Sequence, residues 1–502
     1  MGIRATGWKS DENRHHVRDN KISYAEIIKW FFNLLGPVLF GLSMVFSPIE
    51  IMDARTHQII ALTVWMLTWW ITEFVPLPVT SLLPLIMLPS FGVVEISKAA
   101  QPYSSSVIFL FLGGFLIALA LEKWNLHRRI ALHILKLMGA RADNIVLGFI
   151  IASAFLSMWI SNTATAVMML PIILSVVDMI AKKTNTSGKN LFNLKTSMLL
   201  GMAYGANVGG MGTLIGTPPN AILAGYLRSA YSINVGFLEW MLFALPIVAV
   251  LLFIIFIVLT KVSYPNRMGT IHSFGNIVDD ELAAMGKMSR EEKLTLTLFI
   301  SAAVMWISRG AINGLLGTSI GDTSIAIFIG VLFFVIPTGS KSGERLLEWK
   351  DTTKLPWGVL VLFGGGLSIA TALGSTGILT LFANAVSSIE GVSLMLLTAV
   401  LMFVLVTLTE LMSNTALATI FLPIIASLGI SFGMDPLTFG APMILAMSCV
   451  FSLPMGTPPN AVIFASGELK IKNMVRVGIM LDPIAVMILA FVGFYLSNMF
   501  LG

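Results

Sequence analysis

Gly216-Thr217-Pro218-Pro219-Asn220-Ala221 recurs as Gly456-Thr457-Pro458-Pro459-Asn460-Ala461, 240 positions further along the chain. Two prolines inside an apolar stretch remove two backbone N–H donors and collide with the preceding turn, so a helix entering either motif must break. The glycine supplies the backbone freedom for the break, and proline suits the first turn of the helix that restarts, with Thr217 or Thr457 expected as its N-cap. A second pair of motifs lies upstream. Ser161-Asn162-Thr163-Ala164-Thr165-Ala166 returns as Ser413-Asn414-Thr415-Ala416-Leu417-Ala418 at an offset of 252, and Gly113-Gly114 returns as Gly365-Gly366 at the same offset. Three matches in the same order define an internal repeat.

The surroundings of these motifs are apolar. Of 502 residues 56% are hydrophobic and 11% charged, where a soluble globular chain has about 45–50% and about 25%. With a mean hydropathy of +0.88, most of the chain belongs in lipid. The single cysteine, Cys449, excludes an internal disulfide framework and any multi-Cys metal centre. The net charge of +5 does not point to nucleic acid, because in a membrane protein the placement of basic residues outweighs their sum. Soluble enzyme, secreted protein and DNA binder are excluded.

Apolar stretches near 30–47, 57–72, 74–90, 106–122, 196–227, 236–260, 293–308, 321–337, 357–385, 438–467 and 478–500 predict eleven crossings, since about 20 residues of helix span the hydrocarbon core. Segments 142–180 and 394–432 carry an uncharged polar cluster at mid-length and read as re-entrant hairpins. Residues 1–29 read as a retained polar tail and 263–292 as a linker between repeats. With the N-terminus inside, only Arg55, Lys98, Arg228 and Arg309 fall outside, leaving 27 of the 31 basic residues inside. Lys123, Arg128, Arg129, Lys136 and Arg141 precede the first hairpin on that side and Lys182, Lys183 and Lys189 follow it. This asymmetry sets the orientation, with the C-terminus outside. The first hairpin then opens inward and the second outward, which makes the repeat an inverted one. That is the architecture of a secondary transporter with a midplane site.

Irregular backbone is tolerated at such depth only where protein buries it or a cavity uses it. Broken carbonyls, hydroxyls and amide oxygens are hard ligands for an alkali cation, while a restarting helix points its positive end at an anion. One hairpin tip facing one helix break makes a half-site, and the repeat makes two, which matches a substrate with two carboxylates. No Lys or Arg lies in either tip or either break, so a dianion there needs other positive charge, and bound Na⁺ fits the oxygen clusters.

Several residues carry plainer readings. Gly205 and Gly209 read as close helix packing. Glu410, three residues before the second tip, reads as a hydrogen-bonded structural acid because its repeat counterpart is Met158. Glu73 reads as a capping residue at a turn, His15 and His16 as solvated tail residues, and the 29 methionines as packing or lipid-facing. An intramembrane enzyme is disfavoured because the motif regions carry no His pair, no Asp pair and no base beside a serine. A channel would call for a continuous polar pore instead of a discrete two-half site.

At these residues the chain resembles the divalent anion/sodium symporter family, which includes sodium-dependent di- and tricarboxylate transporters. The resemblance runs from about residue 30 to the end. It implies an all-α polytopic membrane protein, a homodimer in which each subunit has eleven transmembrane helices and two hairpins. A scaffold domain (30–141 and 293–392) would hold a transport domain (142–262 and 393–502) that moves as an elevator. Carried over motif by motif, the resemblance implies a sodium site at Ser157, Ser161, Asn162 and Gly216. A second would lie at Thr409, Met412 through its carbonyl, Asn414 and Gly456. Substrate contacts carry over to Asn162, Thr163, Asn414, Thr415, Thr457 and Pro458, with Thr217 as a further candidate.

Both threonines that follow Ser-Asn resemble those of dicarboxylate-preferring members. The expected function is sodium-coupled uptake of C4 dicarboxylates such as succinate, malate and fumarate. A sodium-independent dicarboxylate exchanger of the same fold is the alternative. Transport rather than catalysis is expected, with sodium as the co-transported ion, no organic cofactor and no nucleic-acid partner. The expected location is a cell membrane.

Overall fold

Phe237–Ile257 shows how composition dictates the architecture: its run of Leu, Ile, Val and Phe holds one charged residue, Glu239, and forms an uninterrupted helix. In lipid every backbone polar group has to be satisfied within the protein, which favours such helices. The computed structural model describes residues 24–45, 53–184, 188–271, 273–339, 343–387 and 394–502. Among them the regular structure is helical throughout, apart from isolated bridges between Arg141 and Thr270 and between Pro337 and Arg345. The tail expected over 1–29, including His15 and His16, lies outside the described residues as far as residue 23. The Lys183 side chain and the boundary drawn between 392 and 393 also lie outside them.

Among the described residues seven helices are long and apolar enough to cross a membrane: Ile96–Lys123, Asn162–Lys182, Phe237–Ser263, Arg290–Leu316, Trp357–Gly374, Asn414–Ser431 and Ile471–Phe500. Shorter apolar helices, among them Ala142–Ser157, Asp322–Val335, Leu394–Thr409 and Pro436–Ala446, pack between them. Large apolar side chains stay exposed along the long helices, for example Ile300, Val304 and Ile307 on one and Met487, Phe491 and Tyr495 on another. Such surfaces belong against lipid.

Local signals set the helix ends. Ser289 and Glu292 form a reciprocal capping box that starts Arg290–Leu316, and Gly317 ends it at φ 63°. Asp53 caps Ala54–Thr72, and Glu73 ends that helix in the left-handed region at φ 48°. Glu73 therefore occupies the expected capping position through its backbone.

The small residues act as close-approach points. Gly113 lies against the Ala326 backbone, Gly365 against Ser81, and Gly205 and Gly209 against Ile150 and Ala154. A Cβ at Gly205 would come within 2.6 Å of the Ile150 carbonyl oxygen, so any larger residue forces the helices apart. Residues 263–292 are more than a spacer. They contain the helix Ser273–Ala284, tied to the amphipathic helix Leu126–Met138 by Arg128–Glu281 and Lys136–Asp279. Arg129 adds a fork onto Glu292 and donates to the Gly286 carbonyl.

Candidate functional site

Both Ser-Asn-Thr runs sit at helix starts. Ala142–Ser157 and Asn162–Thr184 form one hairpin joined at 158–161; Leu394–Thr409 and Asn414–Ser431 form the other, joined at 410–413. Each tip thus presents the free N–H groups and positive end of a helix. The Ser161 hydroxyl accepts from the Ala164 N–H at 3.1 Å and fixes the first tip.

The Pro-Pro motifs interrupt the helices as expected. Lys189–Gly209 gives way to irregular backbone before Pro218–Tyr231 begins, and Pro436–Ala446 does so before Pro458–Ala465. Thr217 (φ −142°, ψ 142°) and Thr457 (φ −145°, ψ 153°) hold the N-cap positions, but neither hydroxyl caps. An N-cap side chain serves the N–H of the second or third helical residue. Here the second is proline, and the Asn220 N–H bonds the Thr217 carbonyl at 3.3 Å instead.

The motif asparagines hold the broken backbone in place, a role that the motif by itself does not reveal. Asn220 Nδ2 donates to the carbonyls of Gly210, Met211 and Thr213 at 3.4, 3.3 and 2.8 Å. Asn460 Nδ2 does the equivalent with Val450 and Leu453 at 3.3 and 3.1 Å. The breaks are then fastened to the hairpins by different chemistry. In the first half the Thr213 hydroxyl donates to the Met158 carbonyl at 2.6 Å. In the second the Glu410 carboxylate accepts from the N–H groups of Phe451, Ser452 and Leu453, each at 2.7 Å. Glu410 is therefore the hydrogen-bonded structural acid expected of it. Behind that break the Ser452 hydroxyl donates to Asp482 at 2.8 Å.

In the first half-site the Ser157 hydroxyl donates to Asn162 Oδ1. A Cβ on Gly210 would lie 2.9 Å from Asn162 Oδ1 and 3.0 Å from the Gly216 carbonyl oxygen; one on Gly216 would lie 3.0 Å from the Ser157 carbonyl oxygen. Oxygens of the tip and of the break therefore face one small space, which glycine keeps open. In the second half a Cβ on Gly456 would lie 3.1 Å from the Thr409 carbonyl oxygen, so the tip and break meet in the same way. The Thr409 hydroxyl, however, turns to the Met447 carbonyl at 2.7 Å instead of to Asn414.

The two halves meet on one cavity of about 890 Å³. Its wall includes Asn162, Thr163, Thr217, Asn414, Thr415, Thr457 and Pro458, together with Ser161, Gly216 and Gly456. Ser157 and Thr409, the last residues of the helices that lead into the tips, and Met412, within the second tip, are not part of the wall. Away from the motifs the wall carries Glu73, Glu122 and Lys354. Lys354, at the end of the 3₁₀ turn Trp349–Lys354, acts electrostatically on Glu122. The motifs themselves hold no cationic side chain, but the cavity does receive one from a segment outside the repeat motifs.

A further residue bridges the halves. Asn207, buried near the end of Lys189–Gly209, donates from Nδ2 to the Val450 carbonyl at 3.2 Å, to Thr457 Oγ1 at 3.0 Å and to Asn460 Oδ1 at 3.2 Å.

The family described as "Sodium:sulfate symporter transmembrane region" matches residues 29–501. A sodium-dependent dicarboxylate transporter of Staphylococcus saprophyticus is 38% identical over 475 residues, covering 93% of this chain and 91% of its own. Its counterpart in Staphylococcus aureus is 39% identical over 474 residues with the same coverage. Among solved structures, the YdaH transporter of Alcanivorax borkumensis superposes with a TM-score of 0.53 at 13% identity, over 94% of this chain and 98% of that one. MtrF of Neisseria gonorrhoeae, described as one of a class of antimetabolite efflux pumps, gives 0.52 at 14%, over 91% and 97%. These two likenesses concern the fold alone, that of an all-helical membrane transporter.

Proposed function

The chain belongs to the sodium:sulfate symporter family, and from that premise we propose that it couples sodium entry to uptake of C4 dicarboxylates such as succinate, malate and fumarate. One observation carries the reading: two hairpin tips and two helix breaks, all without cationic side chains, line a single cavity. A dicarboxylate spans the two half-sites, one carboxylate at each. Asn162, Thr163 and Thr217 receive one end; Asn414, Thr415, Thr457 and Pro458 receive the other. Hydroxyl and amide donors and four helix N-termini stabilise the anionic ends.

Sodium ions supply the remaining positive charge. Ser157, Ser161, Asn162 and Gly216 hold one, and Thr409, the Met412 carbonyl, Asn414 and Gly456 hold the other. Asn162 and Asn414 belong to both lists, because one amide offers an oxygen to a cation and an N–H to a carboxylate. Binding of cation and substrate is thereby coupled at the same side chain. Glu73, Glu122 and Lys354 rim the cavity on the face that the basic-residue count assigns to the cytoplasm, so this state opens inward. Eleven spans with two re-entrant hairpins, a scaffold of 30–141 and 293–392, and an elevator movement of 142–262 with 393–502 complete the proposal. A homodimer in the cell membrane is the assembly it calls for.

Purified protein in proteoliposomes without internal substrate tests the coupling. An inward sodium gradient should drive succinate uptake against its own gradient. Uptake that needs internal dicarboxylate and ignores sodium, lithium and protons would instead identify an exchanger.

A further inference from the structure

The repeat leaves one buried position unequally filled. Asn207 corresponds by the offset of 240 to Met447. Asn207 places its amide N–H₂ between Thr457 Oγ1 and Asn460 Oδ1. The symmetric oxygens in the first half are Thr217 Oγ1 and Asn220 Oδ1, and Met447 has no donor to offer them. Among the described residues both atoms are buried without a hydrogen-bond partner, in side chains that are 1% and 0% exposed.

The backbone immediately around this position is duplicated. Both threonines have the same extended backbone, and both asparagines pin equivalent carbonyls. Helix Pro436–Ala446 packs on Pro218–Tyr231 as Lys189–Gly209 packs on Pro458–Ala465. Thr217 Oγ1 and Asn220 Oδ1 therefore converge on a point, as their counterparts do around Asn207 Nδ2. Leaving two buried acceptors without a donor is costly. An oxygen pair of this kind suits a hard monovalent cation, and Thr217 lies on the cavity wall, which gives the point access.

We infer that Thr217 Oγ1 and Asn220 Oδ1 bind a co-transported sodium ion, separate from the ions at the two tips, in the place that the second half fills with the Asn207 amide. The asymmetry lets one half-site carry an extra positive charge toward the dianion while the other is fixed by a neutral donor. The inference rests on the sodium-coupled reading above.

Met447→Asn tests it by supplying the missing amide. The sodium-to-succinate ratio is read from the reversal potential of reconstituted full-length protein. Wild type should carry one more sodium ion per substrate than Met447→Asn. Thr217→Val should lose the same ion while Thr217→Ser retains it, a comparison that stands even if the core asparagine variant fails to fold. An unchanged ratio in every folded variant would overturn the inference and leave the point to water. Absence of sodium-driven uptake in wild type would overturn the coupled reading itself, a separate result.

Discussion

Asn207 Nδ2 donates to Thr457 Oγ1 at 3.0 Å, so a side chain of the first broken helix reaches the N-cap of the second. This bond crosses the repeat and leaves the two half-sites mechanically linked. Asn207→Leu removes the donor from Thr457 Oγ1 and Asn460 Oδ1, each left buried at a cost of about 1–3 kcal/mol, while the Val450 carbonyl keeps its bond from Asn460 Nδ2. A lowered melting temperature of the purified protein, with succinate affinity reduced several-fold, is the expected result. Unchanged values in both measurements would mean that the bridge carries no energy.

Thr163→Ala and Thr415→Ala each remove one hydroxyl from the cavity wall. A hydrogen bond to a charged group contributes about 1.5–3 kcal/mol, so succinate affinity should fall by roughly tenfold or more in each. Expression and folding should be retained. Equal uptake affinity in wild type and both variants would take these residues out of the substrate contacts. Asn162→Ala and Asn414→Ala should weaken the sodium dependence as well, which separates the shared ligands from the threonines.

Glu410→Gln keeps the shape of the side chain but has one acceptor oxygen for three backbone N–H groups. Breaking charge-assisted bonds of this kind costs about 1.5–3 kcal/mol each. The variant should melt well below wild type, whereas the same treatment of Glu73, whose capping is done by its backbone, should not. Thermal melting in detergent decides between them.

Lys354→Gln removes the cationic side chain of the cavity wall without touching either repeat motif. Long-range attraction of a dianion is screened within about 8–10 Å at physiological salt. The apparent affinity for succinate should therefore drop a few-fold at low ionic strength and approach wild type at high. A loss that is independent of salt would place Lys354 in direct contact with substrate.

His127 gives a pH signature outside the membrane spans. Burial holds its imidazole below the ordinary histidine value, with the neighbouring Arg128 charge acting in the same direction and the Leu121 carbonyl partly opposing. A depressed folded value means that the unfolded chain takes up the proton first, so stability is complete above about pH 6.5 and declines as pH falls below it. His127→Gln should flatten this part of the melting-temperature profile. An identical slope in the variant would assign the acid sensitivity elsewhere.

Repetition made much of the site legible. Asn162 and Asn414 sit at matching offsets at the start of helices that begin where the motif indicates, Ser157 and Thr409 join the candidate site through the family resemblance, and the prolines break the chain for a purely covalent reason. Asn220 and Asn460 were visible inside the same motif, yet their role depends on where the carbonyls of 210–213 and 450–453 point, which only the fold sets. Asn207 was hidden because its repeat partner is Met447, so comparison of the halves draws no attention to it. Lys354 comes from a segment outside the motifs and reaches the cavity through tertiary packing. The motif predicts caps from the Thr217 and Thr457 hydroxyls; the second proline removes one of the two donors such a cap serves, and in the first half the other, the Asn220 N–H, turns to the Thr217 carbonyl.

Cys449, the single thiol of the chain, is fully buried beside the second break. Maleimide or spin-label chemistry on the folded transporter should therefore begin from a silent background, with no need to replace native residues. Single reporters introduced at the cavity rim and on the opposite face then follow which positions meet solvent as sodium and succinate are added, and so test whether the proposed transport domain travels past the scaffold.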